Sequence, residues 1–339
     1  MKISIFSVSD YYPDLQVDRA TFIDEQVELA QISEDLGYYA YFNAEHHFHE
    51  YGLIPDPALL LAAVAMKTKT IKLAAAVSLL TFLHPLRAAE QWAMVDNLSK
   101  GRLILGVGSG YLMHEFEGFN ISIAQKRDRF DEILEIMEKA LSRERFSYKG
   151  KFHEFKNVQL NIGPYQDRKI DTAIAILTET AAYYIGKRGY QIMTIPYATV
   201  EDITELKPIY DSYHRGLKDS NNGGSGEIMA GIHTYVSEEP ASRNSVAREH
   251  IERYVNSRLY AKRSSYDKCL DRRIIACGNP DEVTASLQRL IDQGTDHIMT
   301  IQNFGGMPLD KTQRSMELLK KEVIPRLKGY NGDIPTENS

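Results

Sequence analysis

Cysteine is almost absent: Cys269 and Cys277 are the two in 339 residues. That excludes a disulfide-stapled secreted scaffold, and their spacing is not that of a metal-ligand pair. Reduced thiols in a cytoplasmic protein are the expectation. Long apolar runs are missing as well. No segment approaches the roughly 20 apolar residues of a membrane span, and residues 1–6 read as a strand, not a signal peptide. Basic charge is not in excess either. Forty Lys and Arg against 46 Asp and Glu leave a net charge of -6, which argues against nucleic acid as the main partner. A glycine-rich turn after the first strand, which a dinucleotide-binding open sheet needs, is lacking: Ser9-Asp10-Tyr11 stands there instead.

What is present suits a large α/β core, with 43% hydrophobic and 25% charged residues. Short apolar stretches at residues 3–8, 38–42, 71–80, 101–107, 171–177, 191–195, 227–236 and 297–301 read as strands. Segments of helical period separate them, such as 127–141 with Phe130, Ile133, Leu134, Met137 and Leu141 on one face. Asp56-Pro57 and Asn279-Pro280-Asp281-Glu282 carry helix-start chemistry. Eight alternating units imply a parallel sheet closed into a (β/α)8 TIM barrel. A single domain is expected over residues 1–328, with a hairpin excursion at about 146–160 and a flexible tail at 329–339. The polar segment 262–275, without clear period, is expected to fold over the site as a lid that excludes water. The glycine-rich run 221–226 is expected to be a flexible loop.

Polarity is concentrated after the second strand, in Asn43-Ala44-Glu45-His46-His47-Phe48-His49. In a barrel, residues just past strand ends line the active-site face. A carboxylate with three histidines can be read three ways: a metal site lacking an evident further ligand, satisfied polar groups at a strand end, or an acid/base histidine beside a carboxylate. Gly106-Val107-Gly108-Ser109-Gly110-Tyr111 is either a tight turn or backbone cleared for a flat ring, with Tyr111 as a wall. Small residues at Ala74-Ala75-Ala76-Val77-Ser78 leave room for a bulky planar ligand or pack a close helix. Leu177-Thr178-Glu179-Thr180-Ala181 is an anion site at a helix N-terminus or a plain N-cap, with Glu179 expected to face solvent. Arg87 either reaches a ligand or charges the first turn of its own helix. Phe6, Tyr11, Tyr12, Phe48, Phe82 and Phe304 lie near strand ends and suggest an apolar or aromatic pocket.

The chain resembles the bacterial luciferase-like family of flavin-dependent monooxygenases. The residues that carry this are Ala44-Glu45-His46-His47-Phe48, Tyr51-Gly52, His84-Pro85-Leu86-Arg87, and Leu98-Ser99-Lys100-Gly101-Arg102 running into Gly106-Val107-Gly108-Ser109-Gly110-Tyr111. Gly278-Asn279-Pro280-Asp281-Glu282 and Asn303-Phe304-Gly305-Gly306-Met307-Pro308 continue the match. The resemblance implies one barrel, reduced flavin mononucleotide (FMN) from a partner reductase, oxygen, a flavin 4a-hydroperoxide, a small apolar or aromatic organic substrate, and a homodimer. It implies His46 as catalytic histidine, oriented by Glu45. It implies Ala76 and Val77 at a non-proline cis peptide under the ring. Gly108, Ser109 and Tyr111 are then flavin contacts, and Thr178, Thr180 and Ala181 the phosphate turn. Ser109 stands where the family often has arginine, and the phosphate turn lacks the proline that is frequent there. Two rival readings remain open: a deazaflavin-coenzyme oxidoreductase of the same fold, and a flavin-binding protein without catalysis.

Overall fold

The computed structural model describes residues 1–49, 52–166, 169–220, 226–259 and 264–330, the side chains of 240–244 excepted. Its strands are β1 (Lys2–Ser7), β2 (Ala40–Asn43), β3 (Lys72–Ala75), β4 (Ser78–Leu79), β5 (Leu103–Gly108), β6 (Phe146–Lys149), β7 (Glu154–Val158), β8 (Asp171–Ala175), β9 (Gln191–Thr194), β10 (Ile228–Val236), β11 (Ile275–Gly278) and β12 (His297–Ile301). Eight of them close a parallel ring in the order β1, β2, β3, β5, β8, β9, β10, β12 and back to β1. The expected barrel is present, with one more strand than the apolar runs suggested. β11 adds to the end of β10, pairing His233 with Ile275 and Val236 with Gly278.

The two faces of each strand explain the closure. Phe6, Phe42, Ala74, Ile104, Ala173, Met193, Met229 and Met299 cluster together in the barrel interior. Their neighbours Ile5, Tyr41, Leu73, Leu103 and Leu105 belong to the cluster packed with the surrounding helices. Helix starts are held locally. Asp18 accepts from the N–H groups of Ala20 and Thr21 at 3.0 and 3.1 Å. Asn279 and Glu282 form a reciprocal capping box at 2.9 and 2.8 Å.

Several expectations shift. The apolar run at 71–80 is two short strands, and the peptide between Ala76 and Val77 that lies between them is cis. β6 and β7 pair antiparallel as a hairpin outside the ring. Glu132 holds its turn, accepting from the N–H groups of Lys151, Phe152 and His153 at 2.6 to 3.0 Å. Within the segment expected as a lid, Lys262 and Arg263 lie outside the described residues. The rest is a short helix, Tyr266–Asp271, capped by Ser265, and the lead into β11. Tyr266 and Cys269 are fully buried, so two side chains in that polar stretch anchor it to the core. The loop at 221–225 and the tail from 331 also lie outside the described residues.

At the N-terminal end of the barrel, Glu227 lies 3.0 Å from Lys2 Nζ and 3.2 Å from His297 Nδ1, and Ser4 Oγ is 2.6 Å from His297 Nε2. This looks like a nucleophile–base–acid relay, but Ser4 and His297 are fully buried, so it ties β1, β10 and β12 together. Burial alone would raise the Glu227 carboxyl; the contact with His297 and the Lys2 ammonium hold it at about 2. A depressed carboxyl contributes stability above its unfolded pKa of about 4.3 and loses it as pH falls toward 2. Glu227→Gln is therefore expected to cost on the order of 2–3 kcal/mol at pH 7. In urea unfolding the gap to wild type should close between about pH 4.5 and pH 2; a gap that stays constant with pH would contradict this assignment.

Candidate active site

A cavity of about 340 Å³ opens at the C-terminal mouth of the barrel. Its lining comes from the ends of successive strands. Phe6 lies near the end of β1 and Val8 just past it, Ala44, Glu45 and His46 follow β2, and Ala76 and Val77 follow β3. Gly108 ends β5, Ser109 and Tyr111 follow it, and Leu177, Thr178 and Ala181 follow β8. Every cofactor position expected from sequence lines it except Thr180, which is solvent-exposed on the outer side of its helix turn.

His46 is fixed by contacts that the sequence did not reveal. Its Nδ1 lies 3.3 Å from a carboxylate oxygen of Glu115, which also accepts from the N–H of His47 at 3.1 Å. Glu115 is fully buried on a one-and-a-half-turn helix, Met113–Gly118. Glu45, expected to orient His46, has its carboxylate engaged by other groups. It accepts instead from Leu79 N–H at 3.1 Å and lies 3.1 Å from His47 Nε2, bridging the loop to β4. The expected histidine–glutamate pair exists, but its carboxylate comes from residue 115. Gly52 is needed on the other side, since a Cβ there would overlap the Cβ of His46.

Electrostatics keep His46 neutral. Burial pushes its pKa below the ordinary 6.5; Glu115 pulls it up, and Arg258 and His47 push it down. A carboxylate at Nδ1 selects the tautomer with the hydrogen on that nitrogen. Glu45 is pushed upward by burial, partly offset by His47. Among the described residues no group of three or more His, Cys, Asp or Glu could hold a metal ion.

The cavity fits a flat ring with a phosphate tail. Val77 follows the cis peptide, and a Cβ on Gly108 would stand 2.6 Å from Val77 Cγ2, so only glycine lets β5 pass so close. Thr178 caps the helix Glu179–Lys187, accepting from Ala181 N–H at 3.2 Å. That places a helix N-terminus on the cavity wall. Lys126 and Arg127 line the same cavity, and Arg127 also pairs with Asp131 at 2.9 Å on its own helix. Glu179 is exposed and pairs with Arg215 at 3.1 Å, away from the cavity. Arg87 pairs with Glu90 at 3.0 Å on its own helix and does not line the cavity.

The aromatic expectations divide. Phe6 lines the cavity, but Tyr11 and Tyr12 line a separate pocket, Phe48 is largely exposed, Phe82 stacks on Phe119 and Phe304 is buried behind His233. The cavity's other aromatic walls are Tyr111, Tyr197 and Tyr254, and Arg258 stands beside them. No local signal marked residues 197, 254 and 258, because helices and turns bring them in after β9 and β10.

Such a mouth, with small strand-end residues, a helix N-terminus and a partly buried histidine–glutamate pair, has the shape to admit a bulky planar ligand. The chain belongs to the luciferase-like monooxygenase family, whose model matches residues 1–297. It is similar to the oxygenase component of the flavin-dependent trigonelline monooxygenase of Acinetobacter baylyi, 25% identical over 96% of this chain and 95% of that one. The crystal structure of the monooxygenase RslO1 from Streptomyces bottropensis superposes with a TM-score of 0.90 at 28% identity, covering 96% of this chain and 99% of that one. The FMN complex of the oxygenating constituent of 3,6-diketocamphane monooxygenase from Pseudomonas putida shares the fold. Its TM-score is 0.81 at 20% identity, covering 96% and 99%. Enzymes dependent on coenzyme F420 share the barrel too. Among the described residues no helix is long and apolar enough to cross a membrane.

Proposed function

We propose that this chain is the oxygenase component of a two-component monooxygenase. It would take reduced FMN from a separate flavin reductase and use oxygen on a small organic substrate with an apolar or aromatic body. The observation that carries this is the placement of the His46–Glu115 pair beside the slot formed by Ala76, Val77 and Gly108. The names of the relatives, a flavin-dependent oxygenase component and an FMN complex, favour FMN over the deazaflavin coenzyme.

Bound reduced flavin supplies the electrons that activate oxygen. The chain supplies the rest. Ala76, Val77 and Gly108 leave room for the ring. Thr178, the N–H groups at the start of its helix, Lys126 and Arg127 hold the phosphate. Tyr111 and Tyr197 narrow the mouth and help exclude water. Neutral His46 accepts a hydrogen bond or a proton at Nε2, and Glu115 holds the resulting imidazolium. Anaerobic mixing of the protein with reduced FMN, followed by an oxygen pulse, tests the reading. Return of the bound cofactor to oxidised flavin is expected to lag well behind that of free reduced FMN. Oxidation at the free rate, together with tight binding of the reduced deazaflavin coenzyme, would favour the deazaflavin enzyme.

We also propose that the chain acts as a homodimer. Leu59 and Met66 on the helix Pro57–Lys67 are 70% and 69% exposed, and Met94 on the neighbouring helix Pro85–Ser99 is 49% exposed. Side chains of this kind on one flank suit a self-complementary contact. Leu59→Glu with Met66→Glu is expected to convert a dimer into a monomer in sedimentation at micromolar concentration. A wild-type monomer at that concentration would refute it.

A further inference from the structure

A second cavity, of about 480 Å³, shares no lining residue with the one at the barrel mouth. It is built by the turn after β1, the N-terminal part of the helix Arg19–Asp35 and the segment after β12. Tyr11 and Phe22, edge to face with ring centres 5.4 Å apart, form its apolar walls with Leu29 and Met307. Its charge is of one sign. Asp10, Glu25 and Asp310 line it, and among the described residues no lysine, arginine or histidine does. Arg19 and Arg253 come within 5.7 and 5.6 Å of the ring centres of Tyr11 and Tyr12, but neither lines the cavity, and Arg253 pairs with Asp14 at 2.9 Å. Glu25 is half-buried and Asp310 exposed, so water meets both. Asp10 is different, at 1% exposed. Its Oδ2 accepts from Gly305 N–H at 2.6 Å and Tyr12 O–H at 2.9 Å, whereas its Oδ1 is buried with no hydrogen-bond partner. Asn303 repeats the pattern. Its Nδ2 donates to Ser7 Oγ at 2.9 Å and Gln26 Oε1 at 3.2 Å, and its buried Oδ1 has no partner. A buried oxygen without a donor costs free energy unless a bound group supplies one. Burial raises the Asp10 carboxyl, and Arg258, which lines the other cavity, pulls it back together with Gly305 N–H and Tyr12 O–H.

We propose that this second cavity binds a small organic cation, a primary ammonium on an apolar or aromatic body. The ammonium brings only donors, and the unused groups of the cavity are acceptors. Asp10 supplies the countercharge and a charge-assisted hydrogen bond at Oδ1. Glu25 and Asp310, nearer to solvent, draw a cation towards the entrance. Tyr11, Phe22 and Met307 take the apolar body. The same charges repel a carboxylate or a phosphate. Among the described residues no group of three or more His, Cys, Asp or Glu could hold a metal ion, so an organic cation is the better fit. The proposal stands apart from the flavin reading, since none of the residues that reading uses lines this cavity.

The test uses the full chain at pH 7 and pairs of similar shape: benzylammonium with benzyl alcohol, cyclohexylammonium with cyclohexanol, and n-hexylammonium with 1-hexanol. Binding is read by titration calorimetry, first without flavin. At least one ammonium is expected to bind about tenfold or more tightly than its alcohol. Asp10→Asn should abolish that preference. It keeps an acceptor for Gly305 and Tyr12, removes the charge and sets an amide donor where Oδ1 stands. Glu25→Gln should weaken the preference without abolishing it, and it becomes the deciding variant should Asp10→Asn fail to fold. Oxidised FMN added in excess should leave the preference in place. The proposal is overturned if no ammonium outbinds its alcohol, or if the preference survives in Asp10→Asn. With Asp10→Asn unfolded, a preference unchanged in Glu25→Gln overturns it as well. Displacement of the ammonium by FMN would put it in the mouth cavity and overturn the proposal too.

Discussion

His46→Ala is expected to lower kcat/KM by about 10²–10⁴-fold while leaving the affinity for reduced FMN within a few-fold of wild type. The size follows from what is removed. Among the described residues His46 is the one cavity-lining imidazole, and it is backed by a buried carboxylate at 3.3 Å. An alanine leaves the ring slot of Ala76, Val77 and Gly108 untouched, so binding and turnover should separate. The lag in cofactor oxidation after an oxygen pulse, and product formation per reduced FMN, are the two readouts. Loss of both with unchanged flavin binding would make His46 catalytic. Unchanged turnover would remove it from the mechanism and favour a protein that only holds flavin. Gly52→Ala offers an independent route to the same displacement, since its Cβ would push into the backbone-proximal part of His46.

The barrel was legible because its signals are short-range. Apolar runs such as 228–236 and 297–301, bounded by caps like Asn279 and Glu282, announce strands and helices without knowledge of partners. Strand-end residues were legible for the same reason: once the alternation is read, positions 44–46, 76–77, 108–111 and 178 must reach the mouth. β11 was not, because four residues after a polar stretch carry too little periodicity. Glu115 escaped because Leu112-Met113-His114-Glu115-Phe116 is too short to show a helical period, and its importance depends on a partner 69 positions away. Arg258 and Tyr254 escaped because no strand ends there; a long helix carries them back over the mouth. Glu45 was read beside His46 because the two are adjacent in sequence, whereas its carboxylate meets His47 Nε2 and Leu79 N–H.

Glu115→Gln is expected to reduce turnover by about 10–100-fold and to move the acid limb of the pH–rate profile. Burial sets the pKa of His46 below 6.5, Glu115 raises it, and Arg258 and His47 lower it further. With neutral His46 as the working form, wild-type activity should be flat above that pKa and fall as pH drops through it. Removing the negative charge takes away what favours the imidazolium, since Glu115 is the group that raises the pKa of His46. The limb should therefore shift to lower pH while the plateau drops, because the imidazolium formed during turnover is no longer compensated. Glutamine can still accept from the N–H of His47, which Glu115 now meets at 3.1 Å, so the loop should keep its shape. That separates the two roles. A merely structural Glu115 would lower the plateau, if anything, and leave the limb in place. Glu115→Asp, with its charge kept but drawn back by one methylene, should hold the limb nearer to wild type than Glu115→Gln does. A limb that moves to higher pH in Glu115→Gln would show that the protonated form of His46 is the working one, and would reverse the direction of proton transfer assigned to it.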